Sequence, residues 1–318
     1  MSAGIIGAGK ALGSRIESNE ELCRSIPSIT PDWILSKTGI TQRHKVEQGE
    51  TCSSLALDAA WDAIHRAEID RADIGMVICC TAFGDYMFPS MAARLHRDLS
   101  LGPEVLAFDV NQNCSGFITA LVLASDRMNA DDSIQYALIV GAEVLSPYID
   151  PTDPNTAPFF SDGAGAVVLH YSSEDRGSSE YGIVSSAFSM DTSNYESVRC
   201  LRGGKIEQQG LATWSQAVKH LPGVVREAVE RAGWTMADVD VFIPHQANLV
   251  LLDFLAGRLG LRDKMFTNVA TTGNCGAASI AIAIADAMAA GRLHSGDKVV
   301  LAGIGAGFSF AALCMEWA

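Results

Sequence analysis

Apolar and polar positions along this chain follow two periods, and the succession of those periods occurs twice. Between residues 51 and 68, Leu55, Ala59, Ala60, Ile64 and Ala67 recur at helical spacing and define one buried face. The run D-I-G-M-V-I-C-C (73–80) that follows is continuously apolar, the pattern of a strand covered on both faces. A second helical pattern spans 214–232, and D-V-D-V-F-I-P-H (238–245) follows it as a strand. Val105 to Val110 predicts another short buried strand, and Ser115 to Asn129 an apolar helix behind Asn113-Cys114. Asn274-Cys275, 161 residues later, stands before a helix of the same kind. A-L-I-V-G-A-E-V (137–144) pairs in the same way with K-V-V-L-A-G-I-G (298–305).

Four matches in the same order predict an internal duplication. Each half reads strand, helix, strand, helix, strand, which is an α/β pattern. The central helices are apolar all round and so belong between two sheets. The expected architecture is five layers, α-β-α-β-α, from a half at 1–171 and a half at 172–318. The polar, turn-rich segment from Tyr171 to Ser179 is the expected boundary. Loops from the two halves should meet beside the strand ends, where α/β folds bind ligands.

Composition narrows the functional classes. The chain has 318 residues, 48% hydrophobic and 19% charged, enough to bury a large core. A formal net charge of -14 argues against nonspecific nucleic-acid binding and against docking on an anionic membrane. It also disfavours acidic protein partners unless a local basic patch prevails. The apolar run Cys275 to Ala285 is too short to span a bilayer, which takes about 20 residues. Eight cysteines form no C-x-x-C pair, so a zinc ribbon or a dithiol redox motif is not expected. Met1 to Gly13 lacks the basic flank and long apolar core of a secretory signal. Free thiols without such a signal predict a reducing cytoplasm.

Three residues carry candidate chemistry. Cys114 stands where a strand gives way to a helix. At a helix's first turn the backbone dipole favours the thiolate, the nucleophilic form, so a lowered pKa is expected. An inert buried thiol is the competing reading. His245 follows a buried strand in I-P-H-Q-A-N, where a structural hydrogen-bonding role competes. Asn274 precedes a buried helix, where a helix cap competes. Taken together they fit acyl chemistry: a thiolate attacks an acyl carbonyl, and two uncharged donors stabilise an enolate oxygen. The stretch Gly303 to Phe308 is expected to present an N–H to an oxyanion through flexible backbone. No Lys-Ser/Thr helix follows it, so it is not a nucleotide loop.

The chain resembles the type III β-ketoacyl-acyl carrier protein synthases of the thiolase fold over nearly all its length. The resemblance rests on D-W-I-L-S-K-T-G-I (32–40), F-P-S (88–90), D-V-N-Q-N-C-S-G-F (109–117), S-D-G-A-G-A-V-V-L (161–169), P-H-Q-A-N (244–248) and T-G-N-C-G-A-A-S (272–279). It implies a cytoplasmic homodimer with no cofactor or metal, acting on acyl-coenzyme A or another acyl thioester and on acyl carrier protein. Its catalytic Cys, His and Asn fall on Cys114, His245 and Asn274. The oxyanion N–H groups fall on Cys114 and on Ala306, which replaces a glycine. Trp33 takes the adenine-stacking position, Lys37 a cationic one, and Asn248 a pantetheine contact. Phe88 takes the position of a phenylalanine that shapes the partner subunit's acyl pocket.

Departures from the family's pattern cluster at the primer site. Pro154 and Leu211 replace an arginine and an asparagine that hold the coenzyme, and Val250 replaces a basic residue for carrier docking. Arg258, Arg262 and Lys264 are left as the expected docking charges. Gln208 occupies an apolar pocket position and points to a short or polar acyl group. Weaker use of free coenzyme A thioesters is therefore expected, with a primer delivered on a carrier as the alternative. A relative that passes the acyl group to an alcohol or amine is the rival enzyme, although Asn274 favours condensation. A noncatalytic subunit would not need all three residues. A simple thiolase would need a second cysteine between Gly303 and Ser309, and none is there.

Overall fold

A computed structural model describes residues 3–171 and 181–318. The expected linker therefore lies outside the described residues except for Tyr171, which is buried. The first half begins with β1 (Gly4–Leu12). A short ribbon of β2 (Arg15–Ser18) and β3 (Gln42–Lys45) follows, enclosing α1 (Asn19–Ser25) and α2 (Pro31–Thr38). Then come α3 (Cys52–Arg66), β4 (Ile74–Cys80), α4 (Met91–Asp98), β5 (Leu106–Val110), α5 (Gly116–Ala130), β6 (Tyr136–Glu143) and β7 (Gly163–His170). The second half runs β8 (Gly182–Met190), β9 (Val198–Cys200), β10 (Ile206–Gln208), α6 (Gly210–Arg231), β11 (Val241–Pro244), α7 (Leu249–Leu259), α8 (Val269–Thr272), α9 (Ser279–Ala289), β12 (Lys298–Gly305) and β13 (Ser309–Glu316).

Two sheets dominate, ordered β1-β7-β6-β4-β5 and β8-β13-β12-β11. In both, the crossover strands pair in parallel: β6 with β4, and β12 with β11. In both, the next two pairings are antiparallel: β6–β7–β1 and β12–β13–β8. The duplication read from the apolar pattern is therefore a duplication of topology. It is incomplete at one edge: the place of β5 in the second half is taken by a lone bridge between Phe242 and Met265.

Three clusters of buried side chains account for five layers. One joins α3 and α4 to the outer face of the first sheet. One joins α6 and α7 to the outer face of the second. The largest lies between the sheets and holds α5 and α9. In α9, Ile280, Ile282 and Ile284 are at most 1% exposed, each contributing about 2 kcal/mol of apolar burial. Its close approach requires bare backbone opposite. A Cβ at Gly165 would lie 2.5 Å from the Ile282 nitrogen, and one at Gly141 2.6 Å from the Ala277 oxygen.

Two expectations are corrected. The helix behind Cys114 is not covered all round: Leu123 is half-exposed and Asp126 and Arg127 face outward, because α5 lies at the margin of the middle layer. The strand before Cys114 is not fully buried either. β5 ends its sheet, has a neighbour on one side only, and leaves Leu106 exposed.

Candidate active site

Loops from both halves enclose a cavity of about 430 Å³, and its walls include Cys114, His245, Asn274 and Ala306. Cys114 stands between β5 and α5, His245 directly after β11, Asn274 ahead of α9, and Ala306 in the turn from β12 to β13. The four positions far apart in sequence are thus brought to one wall system by the duplicated topology.

Cys114 sits on a sharp elbow. Asn113 before it has φ +49, a left-handed conformation that asparagine tolerates better than most residues. The Ser115 hydroxyl pins the elbow to β13 through Ser309 Oγ at 2.7 Å and lies 3.0 Å from the Gln112 carbonyl. β12 makes room for this contact. A Cβ at Gly305 would meet the Gln112 oxygen at 2.5 Å, and one at Gly303 would lie 3.3 Å from Ser115 Cα. Those glycines were expected to lend flexibility; they lie in a strand and serve close approach instead. Only Gly307 of that stretch has positive φ, at +115.

The electrostatics of Cys114 also differ from expectation. Burial pushes its thiol up to about 12, with the negative field of Glu143 adding to the rise. A helix terminus contributes at most about 2 kcal/mol to an anion, less than the desolvation of a charge in an enclosed site. Cys114 lines the cavity, is only part-buried as a residue, and is a thiol at rest. His245 lines the same cavity. Burial lowers its imidazole to about 4, so the ring is neutral at pH 7. Its backbone N–H donates to Ala302 O at 2.7 Å, while Nδ1 is buried without a hydrogen-bond partner among the described residues.

Asn274 is oriented rather than free. Its Oδ1 accepts from the Gly276 N–H at 2.9 Å, which leaves the NH₂ end of the carboxamide as the unused donor. Its backbone is clamped as well, with its N–H donating to Phe159 O at 2.8 Å and its carbonyl accepting from Ser161 N at 2.9 Å. It does not cap α9, which begins five residues later at Ser279.

The remaining expected site residues divide. Gln208 and Asn248 line the cavity. Asn248 Oδ1 caps α7 by accepting from Leu251 N at 2.9 Å, and Gln208 Nε2 donates to Asn155 O at 3.3 Å. Trp33 and Lys37 lie on the exposed face of α2, outside the cavity wall. Phe88 is 84% exposed and does not reach its own chain's cavity. Two of the three docking charges have partners within the chain. Arg262 is paired with Asp253 at 2.7 Å, and Lys264 Nζ donates to the carbonyls of Ala237, at 2.7 Å, and Val239. Arg258 remains exposed, with one 3.4 Å contact to Val218 O.

Sequence reasoning missed Glu143 and Arg199, both on the cavity wall. The signal for Glu143 was present: an acid closes an otherwise apolar strand, and acids are rarely buried without a reason.

Comparison with known proteins bears on the family and the fold. The family model described as 3-oxoacyl-[acyl-carrier-protein (ACP)] synthase III matches residues 108–191, and its C-terminal counterpart matches 229–317. A β-ketoacyl-[acyl-carrier-protein] synthase III of Rhizorhabdus wittichii is 38% identical over 321 residues, covering 98% of each chain. The chain belongs to the β-ketoacyl-[acyl-carrier-protein] synthase III family. Another family member, from Rickettsia canadensis, is 35% identical over the full length of both chains. The crystal structure of 3-oxoacyl-[acyl-carrier-protein] synthase III from Aquifex aeolicus superimposes with a TM-score of 0.93 at 32% identity, covering 99% of this chain and 100% of that one. The priming β-ketosynthase of the R1128 polyketide pathway superimposes with a TM-score of 0.90 at 28% identity, covering 99% and 96%. The synthase III fold and its thiolase-type layering are therefore those of this chain. No helix among the described residues is long and apolar enough to cross a membrane.

Proposed function

We propose that this synthase III family member condenses an acyl thioester primer with a malonyl thioester on acyl carrier protein, starting a fatty-acid or related chain. The observation that carries the reading is the Asn274 carboxamide. Its oxygen is engaged, its NH₂ end is free, and it shares a cavity with a neutral His245 and the Cys114 thiol. Simple acyl transfer needs no such donor, so condensation is favoured over transfer to an alcohol or amine.

In the first half-reaction, the Cys114 sulfur attacks the primer carbonyl and its proton passes to His245. The oxyanion is held by the N–H groups of Cys114 and Ala306. Collapse expels the primer's thiolate, which takes the proton back from His245. In the second, the malonyl C–C bond breaks, carbon dioxide leaves, and the electron pair becomes an enolate held by His245 and Asn274. The enolate carbon attacks acyl-Cys114, the carbon–sulfur bond breaks, and the sulfur leaves as a thiolate that takes a proton from water. The product is a β-ketoacyl thioester.

Gln208 in the wall supports a short or polar primer. Trp33 on one exposed helical face, without the coenzyme-binding residues replaced by Pro154 and Leu211, supports delivery by a carrier as readily as by coenzyme A. The open edge of β5 and the exposed Phe88 support a homodimer in which Phe88 enters the partner's pocket. Arg258 is the favoured carrier contact, with Arg262 and Lys264 secondary. The free thiols support a cytoplasmic setting, and the two sheets support halves at 1–171 and 172–318.

The test is carbon dioxide release from malonyl-carrier protein on pre-acylated enzyme. Release with formation of β-ketoacyl-carrier protein is expected, and its loss in Asn274→Ala. Acyl transfer to an amine or alcohol without carbon dioxide would reject condensation. Equal acylation by acetyl-coenzyme A and acetyl-carrier protein would remove the idea of a carrier preference.

A further inference from the structure

We propose that Glu143 is a positioning residue for the condensation step, bracing from behind the turn that aims the Asn274 carboxamide. The inference rests on the role given above to Asn274. Glu143 closes β6 at the cavity wall and is 2% exposed. Its two oxygens meet donors only. The Ala82 N–H bonds to Oε1 at 3.0 Å, and the Phe83 N–H and Thr81 hydroxyl bond to Oε2 at 3.2 and 3.3 Å. The backbone N–H of Ala277 is among the groups that hold the carboxyl's pKa down.

These partners belong to two segments that both contribute to the cavity wall. Ala82 and Phe83 form part of its wall after β4, and Gly276 part of its wall after Asn274. Gly276 has φ +55, and a Cβ there would lie 3.0 Å from Glu143 Cγ. The same Gly276 donates to Asn274 Oδ1. Contact therefore passes from the Glu143 side chain through the Gly276–Ala277 backbone to the carboxamide. A lost brace lets that turn relax and the donor drift, while the elbow of Cys114 keeps its own anchor in the Ser115–Ser309 contact.

The charge of Glu143 gives a second readout. Among the described residues it forms no ion pair with a lysine, arginine or histidine. The titratable groups that share its field are thiols: Cys52 on α3, Cys79 and Cys80 on β4, Cys114, and Cys275. Asp85 and Asp109 act on some of the same thiols. Burial pushes the Glu143 carboxyl up to about 8 against the donors that hold it down. Its negative charge is therefore fully present only above that pH, where it opposes ionisation of Cys114.

Glu143→Gln removes the charge and turns an NH₂ toward existing donors. Glu143→Asp keeps the charge and shortens the reach to Ala277; it carries the test if the glutamine variant does not fold. Carbon dioxide release by either variant is expected to fall about tenfold or more, because displacing a transition-state donor by 1 Å costs up to about 100-fold. Acylation of Cys114 is expected to change less than about threefold, since Asn274 acts only in the second half-reaction. Iodoacetamide labelling of the Cys114 peptide separates charge from structure. In Glu143→Gln the loss of the negative field favours the thiolate, and the expected net gain in labelling rate, after lower intrinsic nucleophilicity, is about threefold. That gain should appear at about pH 9, vanish below about pH 7, and be absent in Glu143→Asp. Wild-type carbon dioxide release in both variants, with Asn274→Ala still impaired, would overturn the inference and leave the proposed function standing. An equal fall in both half-reactions with an unchanged labelling curve would also overturn it, as a merely structural effect. Asn274→Ala releasing carbon dioxide normally would instead remove the reading on which the inference depends.

Discussion

The two halves place the same dipeptide at the same point in the fold and use it differently. Asn113-Cys114 and Asn274-Cys275 each lead into a helix of the middle layer. In the first half Asn113 and Cys114 both line the cavity; in the second only the asparagine does, and Cys275 is 1% exposed. The difference lies in the flanking backbone. Left-handed Asn113 turns Cys114 outward. In the second half, Gly273 at φ +68 and Gly276 at φ +55 bracket the pair, and Cys275 packs into a buried cluster with Ala278 and Ile282. Cys275 Sγ lies 3.8 Å from Thr272 O, and burial holds its thiol well above the ordinary range. The duplicated fold thus places a cavity-lining thiol in one copy and a core thiol in the other.

The sharpest way to break that comparison is to remove each cysteine in turn. Cys114→Ala should abolish acylation and condensation, while Cys275→Ala should keep most activity, as measured by product formation from a primer and malonyl-carrier protein. Next in size is the donor. Asn274→Ala should lower carbon dioxide release about 100-fold or more while Cys114 still becomes acylated, the range seen on losing one oxyanion donor.

A smaller effect concerns His245 and pH. Its folded-state value of about 4 lies below the ordinary 6.5. The unfolded chain therefore binds the proton more readily, and stability is lost as pH falls from about 6.5 toward about 4. At pH 5 the loss is about 2 kcal/mol relative to pH 7. His245→Gln should remove that component, seen as a smaller drop in urea midpoint between pH 7 and pH 5 than in the wild type. The smallest effect is at the elbow. Ser309→Ala removes the 2.7 Å contact to Ser115 and should cost about 1 kcal/mol in urea unfolding.

Much of this architecture was legible because periodicity reports burial directly. The runs at 73–80, 137–144 and 298–305 became β4, β6 and β12 within a residue or so of the expected limits. Cys114, His245 and Asn274 were legible because each interrupts an apolar pattern at a strand or helix end. What escaped depends on distance across the fold. Periodicity could not show that β5 is an edge, since it pairs with β4 on one side and its apolar residues pack as those of an inner strand would. The rise in the Cys114 pKa comes from walls contributed by both halves, which a local view of one helix end cannot include. The partners of Lys264 are carbonyls 25 and 27 residues away, so its charge looked available for docking. Glu143 was visible as an acid in an apolar strand, but its partners lie on loops that only folding brings beside it.

The account stands on Cys114 as the atom that carries the acyl group. The most direct measurement is peptide mapping by mass spectrometry after the protein is mixed with a panel of acyl-coenzyme A and acyl-carrier donors. The expected result is one acyl group on the peptide containing Cys114, discharged when malonyl-carrier protein is added. Acylation at Cys275 or Cys200 instead, or an acyl-Cys114 that malonyl-carrier protein leaves untouched, would contradict it.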